Sequence, residues 1–298
     1  ERLLDRGDDI VVLDDLNDSY DPGIKRRNLA KAVKSARFRL VEGDIRNAGA
    51  LDGLDGGGRF DVIVHLAARA GVRPSIVDPV LYEQVNCLGT VNVLEMARKR
   101  GIKRLVFASS SSVYGHSSPP PFREDGPVNN PLSPYAATKA ACELYCSNYH
   151  HLYGISCTAL RFFTVYGARQ RPDMAIHKFT AMIDKGQPVP FFGDGGSERD
   201  YTYYTDIIDG VVASIDRDLG FEIVNLGESR TTGLSRLVEL IEKNLGKKAT
   251  LSRQPEQPGD MKATCADISK AVRLLGYKPS TAIEDGIAQF VAWYKSRK

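Results

Sequence analysis

Leu105-Val106-Phe107-Ala108-Ser109-Ser110-Ser111-Ser112-Val113-Tyr114-Gly115 places an unbroken apolar run directly before four serines. A strand that is apolar at every position, rather than at alternate ones, is buried on both faces, which requires a sheet covered by helices on each side. Further buried-strand candidates are Ile10-Val11-Val12-Leu13, Phe38-Arg39-Leu40-Val41, Val62-Ile63-Val64-His65, Cys157-Thr158-Ala159-Leu160 and Ile223-Val224-Asn225-Leu226. Helical patterns lie between them, the clearest running from Val80 to Arg100 and from Ala136 to Tyr153. Strands alternating with helices predict an α/β architecture built on a doubly wound parallel sheet.

The texture changes near Phe163, where Pro, Gly and aromatic residues increase and the strand-helix rhythm weakens. We expect residues 1–163 to form the main domain, with 204–226 returning to it, and 164–203 with 227–298 to form a smaller α/β cap. The Pro-, Ser- and Asn-rich stretch Ser117 to Pro134 reads as a loop over the mouth of the sheet. At the start, Glu1-Arg2-Leu3-Leu4-Asp5-Arg6-Gly7 reads as the end of a helix closed by glycine. Ile10 to Leu13 then has the place of a second strand, so a first strand and its glycine-rich loop, the usual cradle for a pyrophosphate, are expected upstream of Glu1 and are missing from the sequence.

In a doubly wound dinucleotide fold the second strand ends in a carboxylate that hydrogen-bonds the ribose hydroxyls of NAD and repels the extra phosphate of NADP. Asp14 is placed for that role; alternatively Asp14 and Asp15 simply end a strand. Gly43-Asp44-Ile45 follows the third strand, where a carboxylate and a backbone amide could hold an adenine. His65-Leu66-Ala67-Ala68 follows the fourth, with residues small enough for a flat cofactor to approach or merely to pack tightly.

Tyr135-Ala136-Ala137-Thr138-Lys139 puts a phenol and an ammonium on one helix face. A free tyrosine titrates near ~10 and each unit of depression needs about 1.4 kcal/mol. A neighbouring Lys and a cationic nicotinamide in a desolvated cleft supply that kind of stabilisation and make Tyr135 a usable base. The serines after Leu105 to Ala108 place a hydroxyl where it could bond the same substrate oxygen.

The combination Gly43 to Asn47 (GDIRN), His65 to Ala68 (HLAA), Ser109 to Gly115 (SSSSVYG), Tyr135 to Lys139 (YAATK), Arg161 to Gly167 (RFFTVYG) and Arg199 to Tyr203 (RDYTY) resembles the extended short-chain dehydrogenase/reductase family over essentially the whole chain. The resemblance implies a Rossmann-type NAD-binding domain with a nucleotide-sugar-binding cap. It implies Ser110, Tyr135 and Lys139 as the catalytic triad, Asn86 near the nicotinamide, and Asp14, Asp15, Asp44, Ile45, Leu66, Ala67 and Ala68 as NAD contacts beside Tyr135 and Lys139. Related dehydratases and decarboxylases carry acidic residues just after the catalytic hydroxyl. Here Ser111 and Ser112 stand there, which argues against dehydration.

Thr164 replaces the Asn usual in hexose epimerases, and Asn17 to Pro22, Ala70 to Arg73 and Arg169 to Met174 look like UDP-glucuronate 4-epimerases. That type implies Arg73, Ser111, Ser112, Thr164 and Arg171 at the sugar, a fork of Arg donors being the usual device for a carboxylate. Arg169 and Arg171 could instead serve a diphosphate or lie in solvent. Arg199 and Asp260 look like the nucleotide clamp, while Gln257 departs from the Arg that neutral-hexose epimerases place three residues before that Asp. Tyr204 stands where a small aliphatic residue is expected.

The expected function is therefore 4-epimerisation of a UDP-sugar, UDP-glucuronate to UDP-galacturonate first, with UDP-glucose or UDP-N-acetylglucosamine as the competing substrate and a non-catalytic NAD-binding protein as the competing class. Apolar residues on more than one face of 80–100 and 136–153, including Leu94, Leu144 and Tyr145, suggest a homodimer through those helices, or ordinary core packing. The formal charge of +3 over 298 residues is spread without a long basic run, which gives nucleic acid little purchase. Five scattered cysteines with no CxxC pair indicate reduced thiols in a cytoplasmic protein. No apolar run approaches the roughly 18 residues of a membrane span.

Overall fold

The structure is a computed structural model that describes residues 1–54, 60–116, 118–255 and 261–297. Its strands, in chain order, are β1 (Ile10–Asp14), β2 (Phe38–Glu42), β3 (Ile63–His65), β4 (Arg104–Ser110), β5 (Ser156–Phe162), β6 (Thr164–Tyr166), β7 (Val189–Phe192), β8 (Glu198–Arg199), β9 (Tyr201–Tyr203), β10 (Phe221–Leu226), β11 (Thr232–Gly233) and β12 (Leu251–Gln254). β3, β4, β5 and β10 form a four-stranded parallel sheet in the order β10-β5-β4-β3, and β1 pairs with β2 in parallel beside it. The expected apolar runs are thus strands, β4 and β5 being longer than read because their ends carry Ser109, Ser110, Arg161 and Phe162 rather than an apolar run.

Both sheet faces are covered, as a fully apolar strand demands. Leu105 and Phe107 of β4, with Cys157 and Ala159 of β5, pack on Val93, Leu94 and Ala97 of helix Gly89–Arg100 and on Cys142 and Cys146 of helix Pro134–Tyr153. The alternate residues Val106 and Leu160, with Val224 and Leu226 of β10, face Ile207 and Ile215 of helix Tyr204–Ile215. Four of the five cysteines are buried, and all five are unpaired. No helix among the described residues is long and apolar enough to cross a membrane.

Helix Val80 to Arg100 is not continuous. A single wide π-turn, Glu83–Leu88, separates Pro79–Tyr82 from Gly89–Arg100 and turns Asn86 and Cys87 inward. Such turns recur where a helix must present side chains out of its normal phase. Leu94 is fully buried in the core, so it leaves the interface reading, whereas Leu144 and Tyr145 are exposed. The opening helix Arg2–Arg6 ends at Gly7 in the left-handed region, φ 98, as the glycine implied.

The cap holds an aromatic and aliphatic core of Tyr166, Phe179, Phe191, Tyr201, Tyr203, Leu237, Ile241 and Phe290. Its helices Ala175–Asp184, Leu234–Leu245 and Ile283–Lys295 enclose short pairs β6-β9, β7-β12 and β8-β11. The cap assignment 227–298 needs one correction. Ala271, Leu275 and Tyr277, on and just after helix Ser269–Leu275, pack on the main sheet with Val224 and Leu226, because the apolar face of that short helix meets β10. Tyr204 fits because Gly167, at φ +140, offers no Cβ to oppose its ring.

Gly89 tests this packing. A Cβ there would overlap Ile45 Cδ1. Gly89→Ala should lower the unfolding free energy by about 1–3 kcal/mol, and Ile45→Val in the same chain should recover part of it, both read by chemical denaturation.

Candidate active site

β4 delivers Ser110 to the carboxyl edge of the sheet, where the chain turns into a short 3-10 segment, Ser111–Tyr114. Ser110 Oγ accepts a bond from the Ser112 amide at 3.2 Å, which fixes the hydroxyl at the strand end. Helix Pro134–Tyr153 begins opposite it. Ser133 caps this helix by accepting from the Ala136 amide, and Pro134 occupies the first turn, where its missing N–H costs nothing. Tyr135 therefore sits in the first turn, where the helix dipole favours negative charge. Its ring lies edge-on to Tyr82, with centroids 6.3 Å apart.

Burial raises the Tyr135 phenol above its ordinary value, while a hydrogen bond with the Ser110 hydroxyl and the positive charge of Arg171 oppose the rise. Lys139 is buried, and burial pulls its ammonium down to about 8 against the opposing pull of Cys142, Cys146, Glu143 and Cys87. Its Nζ donates to Ala108 O at 2.6 Å and stands 4.8 Å over the Phe107 ring. The expected picture of an ammonium acting on the phenol one turn away needs correction here. Tyr135 and Lys139 do share a face, but the long lysine stem carries Nζ to the carbonyl of β4, and Ser110 and Arg171 are the groups that act on the phenol.

The cap supplies the facing wall. Ser111, Ser112, Ser133 and Ala136 from the main domain and Thr164 and Arg199 from the cap line one cleft of about 120 Å³. The Thr164 amide donates to Asp200 O, and Arg199 Nη1 donates to Glu198 O and Lys262 O. Arg171 acts electrostatically on Tyr20, Tyr82 and Tyr135, which places it at this end of the site. Its fork is already engaged: Nε and Nη2 donate to the two oxygens of Asp173 at 3.1 and 2.7 Å. Arg169 turns away to Glu1 and the Asn28 carbonyl, so the two arginines of the motif have separate tasks. Arg73 is exposed and stacks on Phe192 of β7, tying the loop after β3 to the cap.

At the cofactor side, Asp14 and Asp15 are exposed at the end of β1, each using one oxygen to accept from an amide two residues on. Leu66 is exposed, and Ala67 and Ala68 are partly open at the end of β3. Asp44 is clasped by Arg46, which holds its carboxyl below the usual range, and the Ile45 side chain is buried against Gly89. Asn86 is wholly buried: it bonds both the amide and the carbonyl of Arg69 and donates to Thr138 Oγ1. The structure thus gives Asn86 the task of holding the loop after β3 against the Tyr135 helix. Asp260 and Gln257 lie outside the described residues.

Four contributors escaped the sequence reading. Tyr82 and Asp173 carry no motif of their own. Asp200, inside the quoted RDYTY, is fully buried and accepts from the amides of Glu228, Ser229 and Ala266. Glu143 could have been found, since it follows Tyr135 and Lys139 at the same four-residue interval.

Residues 1–290 match the family described as GDP-mannose 4,6 dehydratase. A UDP-glucuronate 4-epimerase of Thermodesulfobacterium geofontis is 44% identical over 296 residues, covering 99% of this chain and 91% of that protein. The crystal structure of UDP-glucuronic acid 4-epimerase from Bacillus cereus, in complex with UDP-glucuronic acid and NAD, superposes with a TM-score of 0.91 at 34% identity, covering 99% of this chain and 94% of that one. DesIV, a dTDP-glucose 4,6-dehydratase from Streptomyces venezuelae with NAD bound, also reaches 0.91, at 31% identity over 99% of this chain and 92% of its own. Shared backbone therefore does not select the reaction, and the side chains of the cleft must. With the family's sequence pattern matched along nearly all its length and Tyr135 opening the helix that begins opposite Ser110 at the end of β4, the chain belongs to the NAD-dependent epimerase/dehydratase branch of the extended short-chain dehydrogenase/reductases.

Proposed function

We propose that this protein interconverts UDP-glucuronate and UDP-galacturonate by NAD-dependent epimerisation at carbon 4, through a transient 4-keto sugar. The observation that carries the reading is the cleft lined by Ser111, Ser112, Thr164 and Arg199 directly after the β4 end that holds Ser110, with Tyr135 in the first turn of the helix that starts there at Ser133. The relatives that share this chain's length and fold include epimerases of that substrate.

The donor set suits NAD. Carboxylates at the end of β1 match ribose hydroxyls, and exposed Leu66 beside Ala67 and Ala68 offers a small apolar surface for a flat group. Asp14, Asp15, Leu66, Ala67 and Ala68 would hold it, with the Ile45 amide available to the adenine and Lys139 near the nicotinamide ribose. NAD, when bound, supplies a hydride acceptor that returns what it took. The chain does the rest. Tyr135 takes the proton from the 4-hydroxyl and later gives it back, Ser110 donates to the same oxygen, and the buried site excludes water from the keto sugar. Oxidation and reduction occur at one carbon, so the net change is configuration alone.

Turning the sugar between the two steps demands that the nucleotide stay fixed while the hexose is released. Arg199 serves the diphosphate and Asp260 the ribose in this reading. Arg171 and Thr164 take the sugar carboxylate, which exchanges with Asp173 on the guanidinium fork and is held out of line with the carbonyl so that the keto acid keeps its carbon dioxide. Ser111 and Ser112 offer no acid for dehydration.

The segment Pro79–Tyr82, the π-turn Glu83–Leu88 and helix Pro134–Tyr153 also carry an exposed apolar surface: Val80 is 63%, Leu88 48% and Leu144 72% exposed. We assign it to a homodimer contact, since patches of this kind on paired helices mark interfaces. The four buried thiols suit a cytoplasmic setting.

Tyr135→Phe should reduce turnover about 10²- to 10⁴-fold with UDP affinity unchanged, measured as 4-epimer formation; wild-type turnover in that variant removes the mechanism. Arg171→Ala should lower kcat/KM on UDP-glucuronate by about 10- to 10²-fold and leave UDP-glucose and UDP-N-acetylglucosamine rates alone, and an equal loss on all three would assign the arginine to the nucleotide instead. Leu144→Glu should convert a dimer to a monomer in sedimentation, a monomeric wild type being the result against it.

A further inference from the structure

Tyr135, Lys139 and Glu143 occupy successive turns of one helix face, and each reaches the end of β4. The Tyr135 phenol stands close enough to the Ser110 hydroxyl for that group to oppose its upward shift, Lys139 Nζ donates to Ala108 O, and Glu143 Oε1 accepts from Ser109 Oγ. The last of these is locked from behind. Arg161 of β5 donates through Nε to Glu143 Oε1 at 2.9 Å and through Nη2 to Oε2 at 2.7 Å, a bidentate pair whose side chains are 2% and 4% exposed.

This pair belongs to one row of the sheet. Ser109 of β4 stands opposite Arg161 of β5, which stands opposite Asn225 of β10. The Arg161 guanidinium lies 4.7 Å from the Tyr114 ring centroid, and Tyr114 donates to Asn225 Oδ1 at 2.7 Å. Asn225 Nδ2 in turn donates to Phe122 O and Asp267 O, and its amide donates to Glu124 Oε1. Ser109, Arg161, Asn225 and Tyr114 are all buried, so the row is a polar band inside the core.

Stability does not explain such a row. Desolvating a guanidinium and a carboxylate costs several kcal/mol per ion, and a well-packed apolar pair in the same volume is commonly as stable or more so. What a bidentate pair does supply is direction: two parallel bonds fix helix against strand in translation and rotation, as a methyl contact cannot.

We propose that the Glu143–Arg161 pair is the positioning device of this active site, fixing the register of helix Pro134–Tyr153 on β4 and thereby setting where Tyr135 stands against Ser110. The proposal rests on the epimerase reading only for its kinetic readout. Neither residue touches the cleft; both act through Ser109 and the helix. Burial opposes the charge on Arg161 and the carboxylate more than offsets it, so the guanidinium stays cationic.

The test compares Glu143→Gln, Arg161→Met and the double variant Glu143→Leu/Arg161→Met. Each single change leaves a buried polar group without its partner and lowers the melting temperature, so the double variant decides. With both charges gone it should melt near the wild type, while its kcat on UDP-glucuronate stays down by about 10²-fold, the scale of a misplacement near 1 Å, at unchanged KM. Its crystal structure should show the Tyr135 ring displaced from Ser110 by about 1 Å relative to the wild type. Recovery of kcat together with melting temperature, or a Tyr135 ring unmoved against Ser110 in the double variant, overturns the proposal and leaves the pair a stability element. The crystal structure decides this even if the wild type fails to epimerise UDP-sugars, a result that would sink the epimerase reading alone.

Discussion

The contact on which the site depends is the seating of helix Pro134–Tyr153 on the carboxyl end of β4. A parallel strand buried on both faces has one place where its side chains can leave the core, and β4 uses it to deliver Ser109 and Ser110. The helix starts there with a serine cap and a proline, so its positive end and Tyr135 arrive at the strand end together. Everything chemical follows from this junction. The π-turn at Glu83–Leu88 directs Asn86 to bind Thr138 of the same helix and the backbone of Arg69, so the loop that would face the cofactor is tied to the element that carries the base.

Burial moves the two central ionisable groups in opposite senses. It raises the phenol of Tyr135 from 10.0 and lowers the ammonium of Lys139 from 10.5 to about 8. The ordinary order of the two is thereby reversed, and the neutral phenol is the favoured form of the base in the protein alone. Making it a phenolate requires positive charge close by. Arg171 supplies some of it across the cleft, the helix terminus a little, and a cationic nicotinamide the remainder. A base that becomes effective only as the site fills is suited to chemistry in which a stray proton transfer would strand the intermediate.

The main sheet was legible because burial on both faces leaves an unmistakable apolar run, and the Tyr135 helix because its cap, its proline and its Tyr-Lys interval are local signals. The parts that were not legible depend on long reach or on space. Nothing within ten residues of Arg161 announces that it pairs with Glu143, and the direction of Lys139 is set by a carbonyl of another element. Family resemblance alone places Asn86 near the nicotinamide, and no local signal announces its bonds to Arg69 and Thr138. Residues 268–277 were assigned to the cap by continuity, but their apolar face is matched by β10. Arg169 and Arg171 are two residues apart and indistinguishable in a string, yet one pairs with Glu1 and the other with Asp173.

In the proposed function, selection among sugars reduces to what happens at Arg171. With its fork closed on Asp173, the local charge is balanced and a neutral hexose meets no unsatisfied cation. A uronate offers a second carboxylate of the same geometry. The side chain of Asp173 is 55% exposed, so on exchange it returns to water with little loss, while the incoming group gains a bidentate bond beside the reacting carbon. Discrimination is a difference between two affinities, and here the competitor for the arginine is built into the chain two residues away. The same exchange explains how one pocket can grip an anion firmly enough to orient it and still let the sugar go when it turns: the arginine passes from one carboxylate to another and is never left with an unpaired charge.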